Sequence, residues 1–411
     1  MPHDRLNDAL AVNLTELRQS GRAKGAETVI TGILPATDEQ GPRYRLEGEG
    51  ELGFLRMNSN GYLSLARHPA VMAAGEAAVA EFGTGPGAVR FISGTWAPHV
   101  ALERRLAAFH GRQAAMAFSS AYATVMGTIA ALTTPETAIV SDSLNHSCII
   151  NGTRLAAPKR KLVYPHLDMA ALEAALREAA ADCTRAIVIT DGVFSMRGDH
   201  APLDAIMDIA RRLDPLFAEN VLVMADDSHG VGAFGAAGRG TEEVTGCPPV
   251  DLLIGTLGKA FGVNGGYIAA DRVIVDYLRE TAAFYIYSNP ISPGEAAAAD
   301  EAVAIVDSPE GKALLTHLRS LRNRFADGLL ALGLETIEGD HPVVPLMVRD
   351  TARTRDIVTR LRAQGILATG LNYPVVPEGD QTIRFQINAE HTAADIDQAL
   401  SILSEIASSV A

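Results

Sequence analysis

Residues 251–267 read DLLIGTLGKAFGVNGGY. The apolar run at 252–254 predicts a short buried strand that delivers Gly255, Thr256, Leu257, Gly258 and Lys259 onto a tight, glycine-permitted loop. One lysine is thereby held at a strand end. Flanking glycines let a flat ligand approach the backbone, and the short reach of a lysine from a rigid strand suits an imine with a carbonyl cofactor. On this stretch alone an ordinary surface lysine in a glycine-rich turn is the simpler reading. A phosphate loop of the G-x-x-x-x-G-K-[ST] kind is excluded, because Ala260 follows Lys259.

Outward from this stretch the middle of the chain alternates. Residues 114–118, 138–141, 186–190, 221–225 and 252–254 are short apolar or β-branched runs, and helical patterns such as 169–180 and 203–213 lie between most of them. Strands separated by amphipathic helices predict βαβ units, hence an α/β fold with a mainly parallel sheet sandwiched by helices. Ligands of such sheets bind beyond the carboxyl ends of the strands. The residues there are 119–122, 142–146, 191–195, 226–229 and 256–259. After residue 270 the pattern changes to long helices over 293–332. Strands at 341–348, 366–371 and 382–387 then interleave with helices at 351–364 and 392–409, a smaller C-terminal α+β domain.

At the front, residues 5–24 carry Leu6, Leu10, Val12, Leu14 and Leu17 on an otherwise charged segment. A helix with such a stripe cannot bury it alone, so it should lie on the main body or on a second subunit. Residues 55–65 cluster Asn58, Asn60 and Gly61 at a turn, and residues 82–95 (FGTGPGAVRFISGT) form a glycine-rich segment that either hugs a ligand or is a plain loop. The helix predicted over 99–109 places Glu103 and Arg104 on a solvated face. The expected organisation is an N-terminal arm (1–57), a large cofactor-binding domain (58–292) and a small C-terminal domain (293–411).

A chain of 411 residues with 47% hydrophobic content can bury a large core. A formal net charge of -14, from 35 basic and 49 acidic residues, argues against a nucleic-acid-binding surface. Cys148, Cys183 and Cys247 have no C-x-x-C spacing, so neither a zinc site nor a disulfide framework is expected, and a reducing, cytoplasmic setting follows. No basic-then-apolar leader opens the sequence, and no apolar run approaches the roughly 20 residues that span a bilayer.

A pyridoxal phosphate cofactor would need a lysine for its aldehyde, a carboxylate for its ring nitrogen and a helix N-terminus or hydroxyls for its phosphate. Lys259 supplies the first. Asp226, at the end of the run 221–225, can supply the second, with Asp227 as the competing candidate. Residues 119–122, at a strand-to-helix turn, offer free N–H groups and hydroxyls. Taken singly, the string Asp226-Asp227-Ser228-His229 reads equally as a metal site or a capped turn, and His146 as a structural histidine.

Several motifs sharpen this constellation: NGYLSLARHP (60–69), AVRFISGT (88–95), SDSLNHSCIINGTRL (141–155), TDGVFSMRGD (190–199), DDSHGVGAFGAAGRG (226–240), GTLGKAFG (255–262), FYIYSNPISP (284–293), LNYPVVPEG (371–379) and IRFQINAEHT (383–392). From about residue 25 to the C-terminus the chain resembles the α-oxoamine synthases, pyridoxal-phosphate enzymes of fold type I that condense an amino acid with an acyl-CoA as homodimers with shared active sites. It is most similar to the branch that joins glycine to acetyl-CoA. The resemblance implies that Lys259 is the Schiff-base lysine and proton shuttle, that Asp226 partners the ring nitrogen, and that His146 stacks on the ring. It implies contacts of His229 and Ser195 with the phenolic oxygen. Phosphate contacts fall to Ser120, Ala121, Tyr122 and Thr256, and to Ser288 and Asn289 reaching the neighbouring subunit. Asn60 and Arg384 would hold the substrate carboxylate, for which a planar guanidinium is suited.

Three features depart from that branch: Gly61 stands where Asn is usual, the loop after Lys259 reads GVNGG (262–266), and Pro290 follows Asn289. They leave open a longer acyl thioester, carried by CoA or a carrier protein, with glycine, alanine or serine. A catalytically idle partner subunit is a different reading, but such a subunit lacks the lysine. A nicotinamide oxidoreductase would want G-x-G-x-x-G after the first strand, whereas residues 83–87 follow a helical pattern.

Overall fold

Three short strands, β1 (Ile30–Leu34), β2 (Arg43–Leu46) and β3 (Gly53–Arg56), open the computed structural model as an antiparallel meander. The structure describes residues 3–20, 22–23, 25–373 and 375–408. Gly21 and Lys24 of the N-terminal segment, and Pro374 of the motif at 371–379, lie outside them. Seven strands then build the central sheet: β4 (Ala114–Phe118), β5 (Thr137–Asp142), β6 (Arg160–Tyr164), β7 (Arg185–Asp191), β8 (Val221–Asp226), β9 (Leu252–Thr256) and β10 (Gly266–Ala270). Their order is β4-β10-β9-β8-β7-β5-β6, and β10 alone runs against its neighbours.

The five apolar runs expected as strands are strands, and four of them, β5, β7, β8 and β9, are buried nearly end to end. Helices on both faces explain that burial. Successive residues feed opposite cores: Ile139, Ile187, Ile189, Met224 and Ile254 pack on one face, while Val140, Val188, Val223 and Leu253 pack on the other. Cutting one such side chain back to Ala costs about 2–5 kcal/mol. The edge strand β6 alternates exposed and half-buried positions before Tyr164, so it lacks the continuous apolar run that marks the others.

The C-terminal part adds β11 (Val343–Met347), β12 (Ile366–Leu367), β13 (Thr369–Leu371) and β14 (Thr382–Gln386). The run at 366–371, expected as one strand, serves two sheets. β12 pairs in parallel with β3, and β13 pairs antiparallel with β14, the chain changing sheets at Ala368. The long helical region divides into Pro293–Val306 and Pro309–Ala331, the second capped by Ser308, whose Oγ accepts from the Glu310 and Gly311 N–H groups.

Two local expectations need comment. Glu103 is not on a solvated face: it is 7% exposed, accepting from Arg90 Nη1 at 3.0 Å, from Arg279 Nη2 at 2.8 Å and from the Ala117 N–H at 3.0 Å. Its partners come from other elements, which helical periodicity does not see; Arg104 is exposed as expected. The N-terminal helix Asp4–Gln19 buries no residue, and its Leu6, Leu10, Val12, Leu14 and Leu17 stay exposed, so the main body does not cover the stripe. Among the described residues no helix is long and apolar enough to cross a membrane.

Candidate active site

The carboxyl ends of the parallel strands bring the chemistry together. Asp191 ends β7 and Asp226 ends β8, and the two are paired in register. On the far side of Asp226, β9 leads into the turn that carries Lys259. That turn is braced by Thr256, whose Oγ1 donates to the Gly265 carbonyl and accepts from the Gly258 N–H, both at 3.2 Å. Gly262 sits at φ +72°, and a Cβ there would lie 2.3 Å from the Ala66 nitrogen. The return strand β10 begins at Gly266, where a Cβ would stand 2.2 Å from the Ala121 nitrogen. Glycine at this point lets the helix Ala121–Leu132 start directly against the sheet. Its cap is Ser120, whose side chain accepts from the Ala123 N–H at 3.1 Å, leaving the Ala121 and Tyr122 N–H groups without an acceptor among the described residues.

Around this edge lies a cleft of about 70 Å³, lined by Ala121, Tyr122, His146, Asp191, Ser195, Asp226, His229 and Lys259, with Cys148, Val193 and Ser228. Asp226 Oδ1 accepts from the Ser228 N–H at 3.2 Å and hydroxyl at 2.6 Å, and Oδ2 receives the Cys148 thiol at 3.6 Å. Asp227 is turned away from the cleft. Its carboxylate accepts from the Thr241 N–H and hydroxyl, both at 2.7 Å, and Gly192, Gly230 and Gly240 press so close that any Cβ there would overlap it. Of the two adjacent aspartates, only Asp226 faces Lys259.

Burial lowers the Lys259 ammonium to about 8, and the charges of Asp226 and then Asp191 oppose the fall. The amine is therefore about half neutral near pH 8. Burial, with Asp226 next, raises the Asp191 carboxyl well above its usual range, and its Oδ2 accepts from the His146 N–H at 3.1 Å. His146 caps the helix Ser147–Ala156, its Nδ1 accepting from the Cys148 N–H at 3.3 Å. Burial and Lys259 lower its pKa against the pull of Asp226, so the ring is neutral. His229 is lowered further by burial and then by Lys259; its Nδ1 lies 2.7 Å from Tyr62 Oη, and its carbonyl accepts from His341 Nε2 at 2.9 Å.

Ser120 and Thr256 brace backbone at the rim of the cleft without lining it. Arg384, on β14, donates through Nη1 to the Ser195 carbonyl at 2.9 Å, while its buried Nε has no partner among the described residues. Burial lowers its pKa, and among the described residues no carboxylate pairs with it. Asn60 Oδ1 accepts from Gln386 Nε2, two residues further along β14. Ser288 and Asn289 stand apart, after the short helix Ala283–Ile286, where the preceding Tyr287 is 78% exposed. Sequence reasoning assigned no role to Asp191, Cys148, Tyr62 or His341. Asp191 was visible as the first residue past a strand; the others become neighbours of the cleft only through tertiary contacts.

This donor set fits pyridoxal phosphate: a buried, easily deprotonated lysine, a buried carboxylate across from it, a neutral ring at the wall, and a helix N-terminus with free N–H groups for a phosphate. Residues 53–403 match the model of the family described as aminotransferase class I and II. The chain belongs to that family. Within it, this protein is an α-oxoamine synthase by its relatives. It is 38% identical to an 8-amino-7-oxononanoate synthase of Exiguobacterium sibiricum over 398 residues, 97% of each chain. It is also 38% identical to the mitochondrial 2-amino-3-ketobutyrate coenzyme A ligase of Mus musculus over 404 residues, 98% of this chain and 93% of that one. Among solved structures, a Sphingomonas wittichii serine palmitoyltransferase superposes with a TM-score of 0.87 at 24% identity, covering 99% of this chain and 98% of the other, a likeness of fold.

Proposed function

We propose that this enzyme is a pyridoxal-phosphate-dependent C-acyltransferase that condenses a small amino acid with an acyl thioester, glycine and acetyl-CoA being the favoured pair. The observation that carries the reading is Lys259, a buried amine lowered to about 8, sharing one cleft with Asp226. When bound, the cofactor supplies an aldehyde for covalent attachment and an electron-withdrawing ring. Asp226, held by Ser228 and Cys148, would hold the ring nitrogen in its protonated form. His146 would lie against the ring, and Ser195 and His229 would meet the phenolic oxygen. The Ala121 and Tyr122 N–H groups would hold the phosphate at the helix N-terminus, with Ser120 and Thr256 supporting it from the rim. Arg384 and Asn60 hold the substrate carboxylate, which meets the unpaired Nε of the guanidinium.

With the amino acid in place, the neutral Lys259 amine takes the α-proton and later returns it. A carbon–carbon bond forms between the α-carbon and the thioester carbonyl, and the thiol leaves. The product is a 2-amino-3-oxo acid, released intact or after loss of carbon dioxide. The reading includes a homodimer: the uncovered stripe on the helix Asp4–Gln19 wants a second copy, and Ser288 and Asn289 reach the phosphate of the neighbouring subunit. It also includes a cytoplasmic setting, which suits three unpaired cysteines.

A longer acyl thioester is the second reading, favoured by a mainly apolar cleft beside Ser195, walled by Leu144, Phe194, Met196, Ile337, Met347 and Val376. The test is a matrix of glycine, alanine and serine against acyl-CoAs of increasing length, following free thiol. Best turnover with glycine and acetyl-CoA supports the first reading; best turnover with long chains selects the second. Absence of thiol release from every pair, in protein that has bound the cofactor, overturns both.

A further inference from the structure

Two arginines among the described residues are pulled below their ordinary pKa by burial, Arg384 and Arg322. The first faces the cleft where a substrate carboxylate is proposed. Arg322 lies 8% exposed on the helix Pro309–Ala331, and it lines a separate cavity of about 340 Å³, open to solvent. Its Nε donates to the His341 carbonyl and its Nη1 to Asn323 Oδ1, both at 3.3 Å. Both acceptors are neutral, and no carboxylate stands at ion-pair distance among the described residues. Asp340 and Asp327 offset part of the burial from a distance, but neither touches the guanidinium, and an anionic ligand in direct contact would offset more.

The other walls narrow the class of ligand. One turn away, the exposed Arg319 donates to the Gly235 carbonyl at 3.3 Å, putting a second cation at the rim. Asp340 lines the mouth and is exposed. Glu243 also lines the cavity as a second carboxylate, accepting from the Ala237 and Arg239 N–H groups at 2.9 and 3.0 Å. The remaining surface is apolar: Phe234, Val244, Leu315, Leu318 and Pro342. Two cations, an exposed carboxylate at the mouth and an apolar floor match a zwitterion with a hydrocarbon tail.

We propose that this cavity is a second binding site for an α-amino acid with an apolar side chain. Its carboxylate sits between Arg322 and Arg319, its ammonium meets Asp340, and its side chain lies on Phe234, Leu315 and Leu318. The site goes beyond the catalytic reading and does not depend on it. It is separated from the Lys259 cleft by the width of His341, which packs edge-on against Phe234 with ring centroids 5.4 Å apart and donates to the His229 carbonyl.

The experiment is calorimetric titration of the holoenzyme with L-leucine and, separately, with 4-methylpentanoate, which lacks the amine, while cofactor absorbance is recorded in parallel. The expected result is saturable L-leucine binding with unchanged absorbance, weakened about tenfold in Arg322→Gln and in Arg319→Gln, as for loss of one charge-assisted pair. Binding of 4-methylpentanoate should be weaker by a similar factor, and Asp340→Asn should remove that difference. Arg319 and Asp340 are exposed, so their variants remain informative where Arg322→Gln fails to fold. No saturable heat, heat that all three variants retain unchanged, or heat that tracks a change in cofactor absorbance overturns the proposal.

Discussion

Two buried charge clusters, one bonded to β4 and one at the carboxyl ends of β7 and β8, are built on opposite principles. At Glu103 the charges close on themselves: one carboxylate takes up Arg90, Arg279 and a backbone N–H, and none of its capacity is left for a ligand. At Lys259 the account stays open. Asp191 and Asp226 stand side by side in register, the charge of Asp226 helping to raise the Asp191 carboxyl, and the lysine beyond Asp226 is pushed toward neutrality by burial rather than locked in an ion pair. Saturated clusters hold a fold together, whereas strained ones are poised to accept a partner or move a proton.

Replacing Lys259 with Ala tests this contrast most severely. Turnover should fall by about 10⁴-fold or more, a loss of roughly 5.5 kcal/mol in transition-state stabilisation. The melting temperature of the cofactor-free protein should hold or rise, because a buried ammonium is removed. A large drop in stability would make the lysine structural and erase the distinction. Glu103→Ala should do the reverse: it leaves Arg90 without its carboxylate and should cost about 3–5 kcal/mol in denaturant unfolding, with activity per folded molecule unchanged. Arg384→Lys is the next largest effect. Loss of the planar fork should raise the KM for the amino acid by about 10–100-fold with a smaller change in kcat, read from steady-state rates.

Smaller effects separate the regions by pH. In cofactor-free protein the rate at which an amine reagent modifies Lys259 should titrate near 8, and Asp226→Asn should move that midpoint down, because it removes the charge that opposes the fall. His166 lies between Asp142 and Asp199, at 3.1 and 3.3 Å. Burial works against its charge, but the two carboxylates outweigh it and raise the pKa to about 9. Because the folded value is the higher one, the stabilisation is complete below the unfolded value near 6.5 and disappears as pH rises through about 9. Melting curves of wild type and His166→Asn should therefore differ most at pH 6 and converge by pH 9.5.

The sequence made the parallel strands legible because burial on both faces leaves unbroken runs such as LLI at 252–254 and VLVMA at 221–225. It also put Lys259, Asp226, His229 and His146 at strand ends, where a doubly covered sheet keeps its ligands. What stayed hidden depends on pairing across the chain. Glu103 looked solvated because its ion partners lie on other elements, Arg279 as far as 176 residues away. The run at 366–371 looked like one strand because local pattern does not say which sheet a residue joins. Cys148 carries no signal of its own until the fold brings its sulfur against Asp226.

The single reversed strand in the central sheet has a consequence for biogenesis. Residues 114–118 find their only sheet neighbour in residues 266–270, roughly 150 positions later, so on the ribosome that strand waits unpaired until most of the large sheet has been made. Insertion of the late strand seats the lysine turn and closes the edge in the same event, so a nascent chain cut before residue 266 holds the two aspartates but cannot yet position the amine beside Asp226.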